Sequence, residues 1–275
     1  PTLIFRGASS PSGESWALAN AGLTYPDRLI AIDNHVVTSP DDVSRTLEKY
    51  SIADTILITY EKASGSYLGP WKIQGQSSAH IQLSRFSFQS QVNYFLLPYL
   101  IGLTFLITGA WVFYVRRNEN SGRTFAMFCA SMAVLIGGVF DLYTTKIFTT
   151  AWTFFVPLIG GSVFALGLIF PQETRFVNKR PYLSWLGYAP ALILIVIGEW
   201  MLNVPRLYAT AWLASYLYAA LGAVFFILMN IYRWRQAASP IVRSLSRIIV
   251  GASALGFSPI IFWIVYSNFF DPTLR

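Results

Sequence analysis

The sequence predicts an α+β domain followed by an all-α bundle of six membrane-spanning helices. Three observations carry that prediction. Hydrophobic residues fill 54% of the 275 positions and charged residues only 12%, about half the charged share usual in soluble domains. The mean hydropathy is +0.48, and 9 Trp, 15 Tyr and 21 Phe suit the aromatic belts of membrane interfaces. The net charge of +7 is unevenly held: residues 1–91 carry seven Lys/Arg against eight Asp/Glu, and residues 92–275 carry thirteen against five. The near-neutral part, residues 1–88, is read as the α+β domain, and residues 89–275 as the bundle.

Within the first part the elements follow from local signals. Ser15 to Asn20 favours a short helix ending at Ala21-Gly22, where glycine takes the left-handed C-terminal position. Tyr25-Pro26-Asp27 makes a turn. Residues 28–32 read as a strand, and Asp33-Asn34 as a tight turn into Val36-Val37. Ser39 is an N-cap, Pro40 occupies the first helical position, and Asp41 and Asp42 complement the helix dipole. A helix over about 40–50 follows, with Val43 and Leu47 on its buried side. Thr55 to Glu61 is a further strand, and residues 71–73 and 81–83 continue in β fashion.

A helix needs roughly 20 mostly apolar residues to cross a hydrocarbon core of about 30 Å. Six such runs occur, at about 92–115, 124–143, 151–171, 183–204, 208–231 and 248–268. Three connections are basic: 116–123 with Arg116, Arg117 and Arg123; 172–182 with Arg175, Lys179 and Arg180; and 232–247 with Arg233, Arg235, Arg243 and Arg247. The alternate side holds Lys146, Arg206 and Arg275. Ten basic residues against three place the richer loops in the cytoplasm and residues 1–91 outside. Six spans return the chain to its starting side, and it begins with Pro1. The expectation is an interior piece of a longer protein, with a helix or signal before it and a further span with a cytoplasmic part after it.

Inside the spans, Gly137-Gly138, Gly160-Gly161 with Ala165, and Ala252 with Gly256 form small-residue patterns that admit close helix approach. Pro98, Pro157, Pro190 and Pro259 mark kinks. Two acids stand near the spans, Asp141 and Glu199. Both lie toward the ends assigned to the outside, where Lys146 and Arg206 could neutralise them. They are the ligand-binding candidates, as the floor of an outward-facing pocket; the other reading makes them interfacial residues that are paired or hydrated.

The residue inventory excludes several chemistries. Cys129 is the one cysteine, so no disulfide scaffold exists. His35 and His80 both precede the spans, which removes the H-E-x-x-H zinc motif and a Ser–His pair around Ser162. An aspartyl dyad from Asp141 and Glu199 lacks the surrounding motif. No phosphate-binding loop or dinucleotide fingerprint occurs, and the basic residues form loops rather than a nucleic-acid footprint. No metal, cofactor or catalytic residue is expected, and the chain is read as non-enzymatic.

The order Ala21-Gly22-Leu23, Asp27, Leu29, Ile32-Asp33-Asn34, Val37 and Val43 resembles the central part of bacterial PDZ domains over about 35 residues. Pro26 and His35 stand where glycines are usual. The resemblance implies a PDZ-like module in residues 1–88. That family binds extended peptides by strand addition, and a docking role is the other reading. The module followed by several spans, with the segment VRRNENSGRTFAMF after the first, is similar to the sensor region of ComP-type bacterial histidine kinases, which detect secreted quorum-sensing peptides. The resemblance implies the ligand-sensing membrane region of a two-component sensor in the bacterial cell membrane. It would meet an extracellular peptide, signal by helix repacking, and pair with a second copy or another membrane protein. No phosphoacceptor helix or ATP-binding segment is among these residues. The alternative is a non-catalytic accessory or scaffold subunit of a larger bacterial membrane complex.

Overall fold

The computed structural model describes residues 2–3, 17–23, 27–64, 72–143, 147–202 and 204–269. Ser15, the Tyr25-Pro26 part of the first turn, Trp71, Lys146 and Arg275 lie outside the described residues, as does the side chain of Arg206. The chain forms two compact units: Pro1–Thr108 with Cys129–Val156 and Leu194–Ala214, and Gly109–Phe128 with Pro157–Ile193 and Ser215–Arg275.

The first unit contains an antiparallel sheet of order β1-β2-β4-β5, with β3 paired to β2. Strand β1 is Thr2–Leu3, and helix α1, Ala17–Asn20, ends at Gly22 with φ of 80°. Strand β2, Arg28–Ile32, turns through Asp33 (φ 43°) and Asn34 (φ 66°) into β3, His35–Val36. Two successive positive φ values match the right-handed twist of a tight hairpin, and Asp and Asn tolerate them.

Helix α2 covers Pro40–Leu47, a turn shorter than the sequence suggests. Its start is a capping box: the Ser39 hydroxyl accepts from the Asp42 amide at 3.2 Å, and the Asp42 carboxylate accepts from the Ser39 amide at 3.0 Å. The same carboxylate accepts from the Thr38 amide and hydroxyl at 3.1 and 2.7 Å.

Strand β4, Thr55–Ser64, buries Ile56, Ile58 and Tyr60 in strict alternation. Strand β5 runs unbroken over Lys72–Gln82, where the sequence suggested two short β segments. Pairing of residues 75–78 with β4 keeps this polar stretch extended. The core joins Leu23, Leu29, Ile32, Val37, Ile56, Ile58, Tyr60 and Ile81, with Val43 and Leu47 packed against it. Each large apolar side chain contributes about 1.5–3 kcal/mol by burial.

Two carboxylates make this domain acid-sensitive. Hydrogen bonds from Thr38 and Ser39 hold Asp42 well below the usual carboxylate range, and those from the Tyr50 hydroxyl and the Leu57 amide, the latter 2.7 Å long, lower Asp33. Both are depressed in the folded state, so their stabilisation is complete above the unfolded value of 3.8 and is lost as pH falls through the lower folded values. Hydrogen exchange of residues 38–47 in the full chain is expected to quicken as pH drops below about 3.8, after correction for intrinsic exchange. Asp42→Asn should show fast exchange already at neutral pH; slow exchange in that variant would refute the role of the box.

The helical elements continue in order. Helix α3, Phe88–Gln91, passes through a π-helical turn, Val92–Leu96, into α4, Leu97–Arg116. Then come α5 (Asn120–Gly137), α6 (Val139–Tyr143), α7 (Thr149–Ile169) and α8 (Arg175–Lys179). A 3-10 turn, Pro181–Trp185, leads to α9 (Tyr188–Met201), α10 (Pro205–Gln236) and α11 (Pro240–Phe269).

Four segments are long and apolar enough to cross a membrane: Phe88–Arg116, Thr149–Ile169, Tyr182–Met201 and Thr210–Gln236. They coincide with the first, third, fourth and fifth runs read from the sequence. The second run, 124–143, is broken at Gly138 between α5 and α6. The sixth lies on α11, whose side chains are described only as far as Gly256. The basic residues are also placed differently. Arg233 and Arg235 are on α10 and Arg243 and Arg247 on α11, so most of the supposed loop 232–247 is helix.

Helix α7 is the most enclosed of the four spans: 72% of its apolar window is buried, against 11%, 28% and 11% for the others. In the second unit its small residues explain this. A Cβ on Gly160 would lie 2.6 Å from the Tyr218 ring, and one on Gly222 would lie 2.7 Å from the Gly160 carbonyl oxygen. Phe164 stacks on Phe225 with centroids 4.1 Å apart, and the Tyr218 hydroxyl donates to the Gly187 carbonyl. Gly161 and Gly187 meet in the same way, backbone against backbone. The buried guanidinium of Arg233 donates to the carbonyls of Phe170 at 2.8 Å and Leu168 at 3.0 Å. It thereby serves the acceptors left over at the C-terminal end of α7 and complements its dipole.

Candidate functional site

The two acids singled out by the sequence have different surroundings, both in the first unit. Asp141 is on α6 and is buried. One carboxylate oxygen accepts from the Ile147 amide at 2.9 Å and the other from the Phe148 amide at 3.0 Å. These amides enter the N-terminal end of α7, where a carboxylate also meets the positive end of the helix dipole. Asp141 therefore holds the turn between α6 and α7.

Glu199 is in the last turn of α9. Its Oε1 is buried and has no hydrogen-bond partner among the described residues. It lies within electrostatic reach of Tyr208 on α10, and its neighbour Gly198 packs on Thr153 of α7, where a Cβ would come to 2.6 Å from Cγ2. The Tyr208 hydroxyl shares a hydrogen bond of 2.7 Å with the Thr153 hydroxyl and accepts from Trp212 Nε1 at 2.8 Å. Trp212 in turn stacks on Trp152, with centroids 5.7 Å apart and planes at 25°.

Trp152 is among the most buried side chains of the protein, yet its indole Nε1 also has no hydrogen-bond partner among the described residues. Gly138 makes room for it: a Cβ there would stand 2.8 Å from that nitrogen. The cluster thus holds one carboxylate acceptor and one indole donor, both buried and both without a hydrogen-bond partner among the described residues. Leaving such groups unmatched costs about 1–3 kcal/mol each, which is why buried polar atoms are usually paired.

Sequence reasoning found Glu199 as an isolated acid but missed Trp152, Thr153, Tyr208 and Trp212. The one local signal was Tyr208 and Trp212 at i and i+4, which share a helix face. Among so many aromatic residues it did not stand out.

The positions matching the PDZ pattern serve the sheet domain. Leu23, Leu29 and Ile32 lie in its core and Ala21 packs against it. Gly22, Asp33 and Asn34 adopt positive φ. Asp27 is fully buried and accepts from the Ala63 amide at 3.0 Å, tying the start of β2 to β4. Ser162 is buried, with the Tyr188 hydroxyl 3.4 Å from its oxygen. Among the described residues no three His, Cys, Asp or Glu side chains gather as a metal-ligand set.

No family model, curated protein or solved structure matches the chain.

Proposed function

We propose that this chain is the ligand-sensing membrane region of a bacterial two-component sensor, with an extracellular peptide bound at the cluster of Glu199, Trp152, Tyr208 and Trp212. The supporting observation is that two buried polar atoms, Glu199 Oε1 and Trp152 Nε1, have no hydrogen-bond partner among the described residues. A peptide group carries one N–H donor and one carbonyl acceptor, the complements of that carboxylate oxygen and that indole. A ligand that pairs them recovers the free energy lost to their burial.

In this reading six helices cross the membrane, residues 1–88 form a PDZ-like module outside, and the basic connections face the cytoplasm. Signalling is a shift in helix packing, which a ligand drives only as far as its affinities for the two packings differ. Pro157, inside α7, and Pro259 on α11 are the bending points.

The test uses the full chain in lipid nanodiscs and peptides fractionated from the producing organism's culture supernatant. The expected result is a fraction that changes tryptophan fluorescence of the wild type and loses at least about tenfold in affinity with Glu199→Gln, one charged hydrogen bond being worth about 1.5–3 kcal/mol. Asp141→Asn should melt lower, because the turn before α7 is weakened, while binding the same fraction as the wild type. Equal binding by the wild type and Glu199→Gln removes the proposed site, and loss of binding in Asp141→Asn alone would move it to the α6–α7 turn.

A further inference from the structure

We infer that the turn between α10 and α11 binds the phosphate of an anionic phospholipid. An open groove of about 160 Å³ at this turn is lined by Trp234, Pro240, Arg243, Ser244 and Arg247. Between Glu199 and Asp271 the chain has five arginines and no acid. Among the described residues no carboxylate pairs with Arg235, Arg243 or Arg247; the ion pairs there are Arg28–Glu61, Arg45–Asp42 and Arg116–Glu119.

The arrangement is unfavourable for an empty groove. Arg243 and Arg247 stand one helical turn apart, where like charges repel, and Arg243 is in the first turn of α11, at the positive end of its dipole. An anion between them reverses each of these terms. The sequence supplies other aids to binding. Arg243 also donates to the Ala237 carbonyl at 2.9 Å, which fixes its guanidinium beside the groove, and a planar guanidinium offers further donors in the fork geometry suited to phosphate. Ser244 adds a hydroxyl.

Position selects the lipid over a soluble phosphate. Trp234 is the third residue from the end of the apolar segment Thr210–Gln236, the depth at which tryptophan and arginine meet headgroups. Basic pockets at helix ends are suited to anionic headgroups at that level.

The test is native mass spectrometry of the full chain in detergent, titrated with phosphatidylglycerol, phosphatidylcholine or inorganic phosphate. The wild type should retain phosphatidylglycerol well above phosphatidylcholine. The double variant Arg243→Gln with Arg247→Gln should bind phosphatidylglycerol roughly thirtyfold more weakly, about fivefold per arginine. Ser244→Glu, which keeps both arginines, should reduce retention as well. Arg116→Gln with Arg117→Gln, an equal change of charge elsewhere, should leave it unchanged. Equal retention by the wild type and the double variant overturns the proposal, as does equal loss in the Arg116 and Arg117 control. Binding of inorganic phosphate without phosphatidylglycerol also overturns it, by showing a soluble anion site.

Discussion

Gly222→Leu is expected to destabilise the protein by about 3 kcal/mol, the upper part of the range for overpacked cores, read as a lower thermal midpoint of the detergent-solubilised chain. The obstacle is backbone: a Cβ at this position would meet the Gly160 oxygen at 2.7 Å and its Cα at 3.3 Å. No rotamer change of a neighbour relieves that contact, so α10 must move away from α7 and give up the Phe164–Phe225 stack. Gly251 provides the contrast, since a Cβ there meets nothing within 4 Å. Gly251→Ala should gain up to about 1 kcal/mol from helix propensity alone. If the two substitutions shift the midpoint equally, the close approach of α7 and α10 is not what holds this region.

Arg233→Ala is the second large effect, expected to destabilise by about 3 kcal/mol on the same measurement. Hydrogen bonds from charged donors are worth about 1.5–3 kcal/mol each, and this side chain makes two, to Phe170 and Leu168. Hydrogen bonds between membrane helices average nearer 0.6 kcal/mol, and desolvating the cation offsets part of the gain. The penalty comes chiefly from what remains: two carbonyls at a helix end that lose their donor inside the protein. Arg233→Lys keeps the charge but not the fork, so it should restore less than half of the loss. Full rescue by lysine would assign the effect to charge at the end of α7 rather than to the two bonds.

Local chemistry made much of the sheet domain readable in advance. Ser39 and Asp42 announce a capped helix, Gly22 a helix end, and Asp33-Asn34 a hairpin, because each depends on a side chain meeting its own neighbouring backbone. Strand β5 was harder to see. Its polar residues, such as Gln76, Ser77 and Ser78, have no apolar alternation, and they are extended through pairing with β4. Four of the six apolar runs coincide with segments long and apolar enough to cross a membrane, since length and hydropathy are properties of a segment.

Hydropathy is silent about where the backbone turns, so the break at Gly138 was read only as a packing position. Arg233 was misread for a related reason. Counted as a loop charge, it belongs to a helix that extends to Gln236, and its partners are carbonyls more than sixty residues earlier in the chain. The Glu199 cluster has the same character. Its members come from α7, α9 and α10, and nothing in their separate sequences says that they share one neighbourhood.

The 32 residues of α10 make a rod about 48 Å long at 1.5 Å per residue, well beyond the roughly 30 Å of a hydrocarbon core. Tyr208 is near one tip and Arg235 near the other. The excess of about 18 Å means that α10 either tilts in the bilayer or carries about twelve of its residues beyond the hydrocarbon.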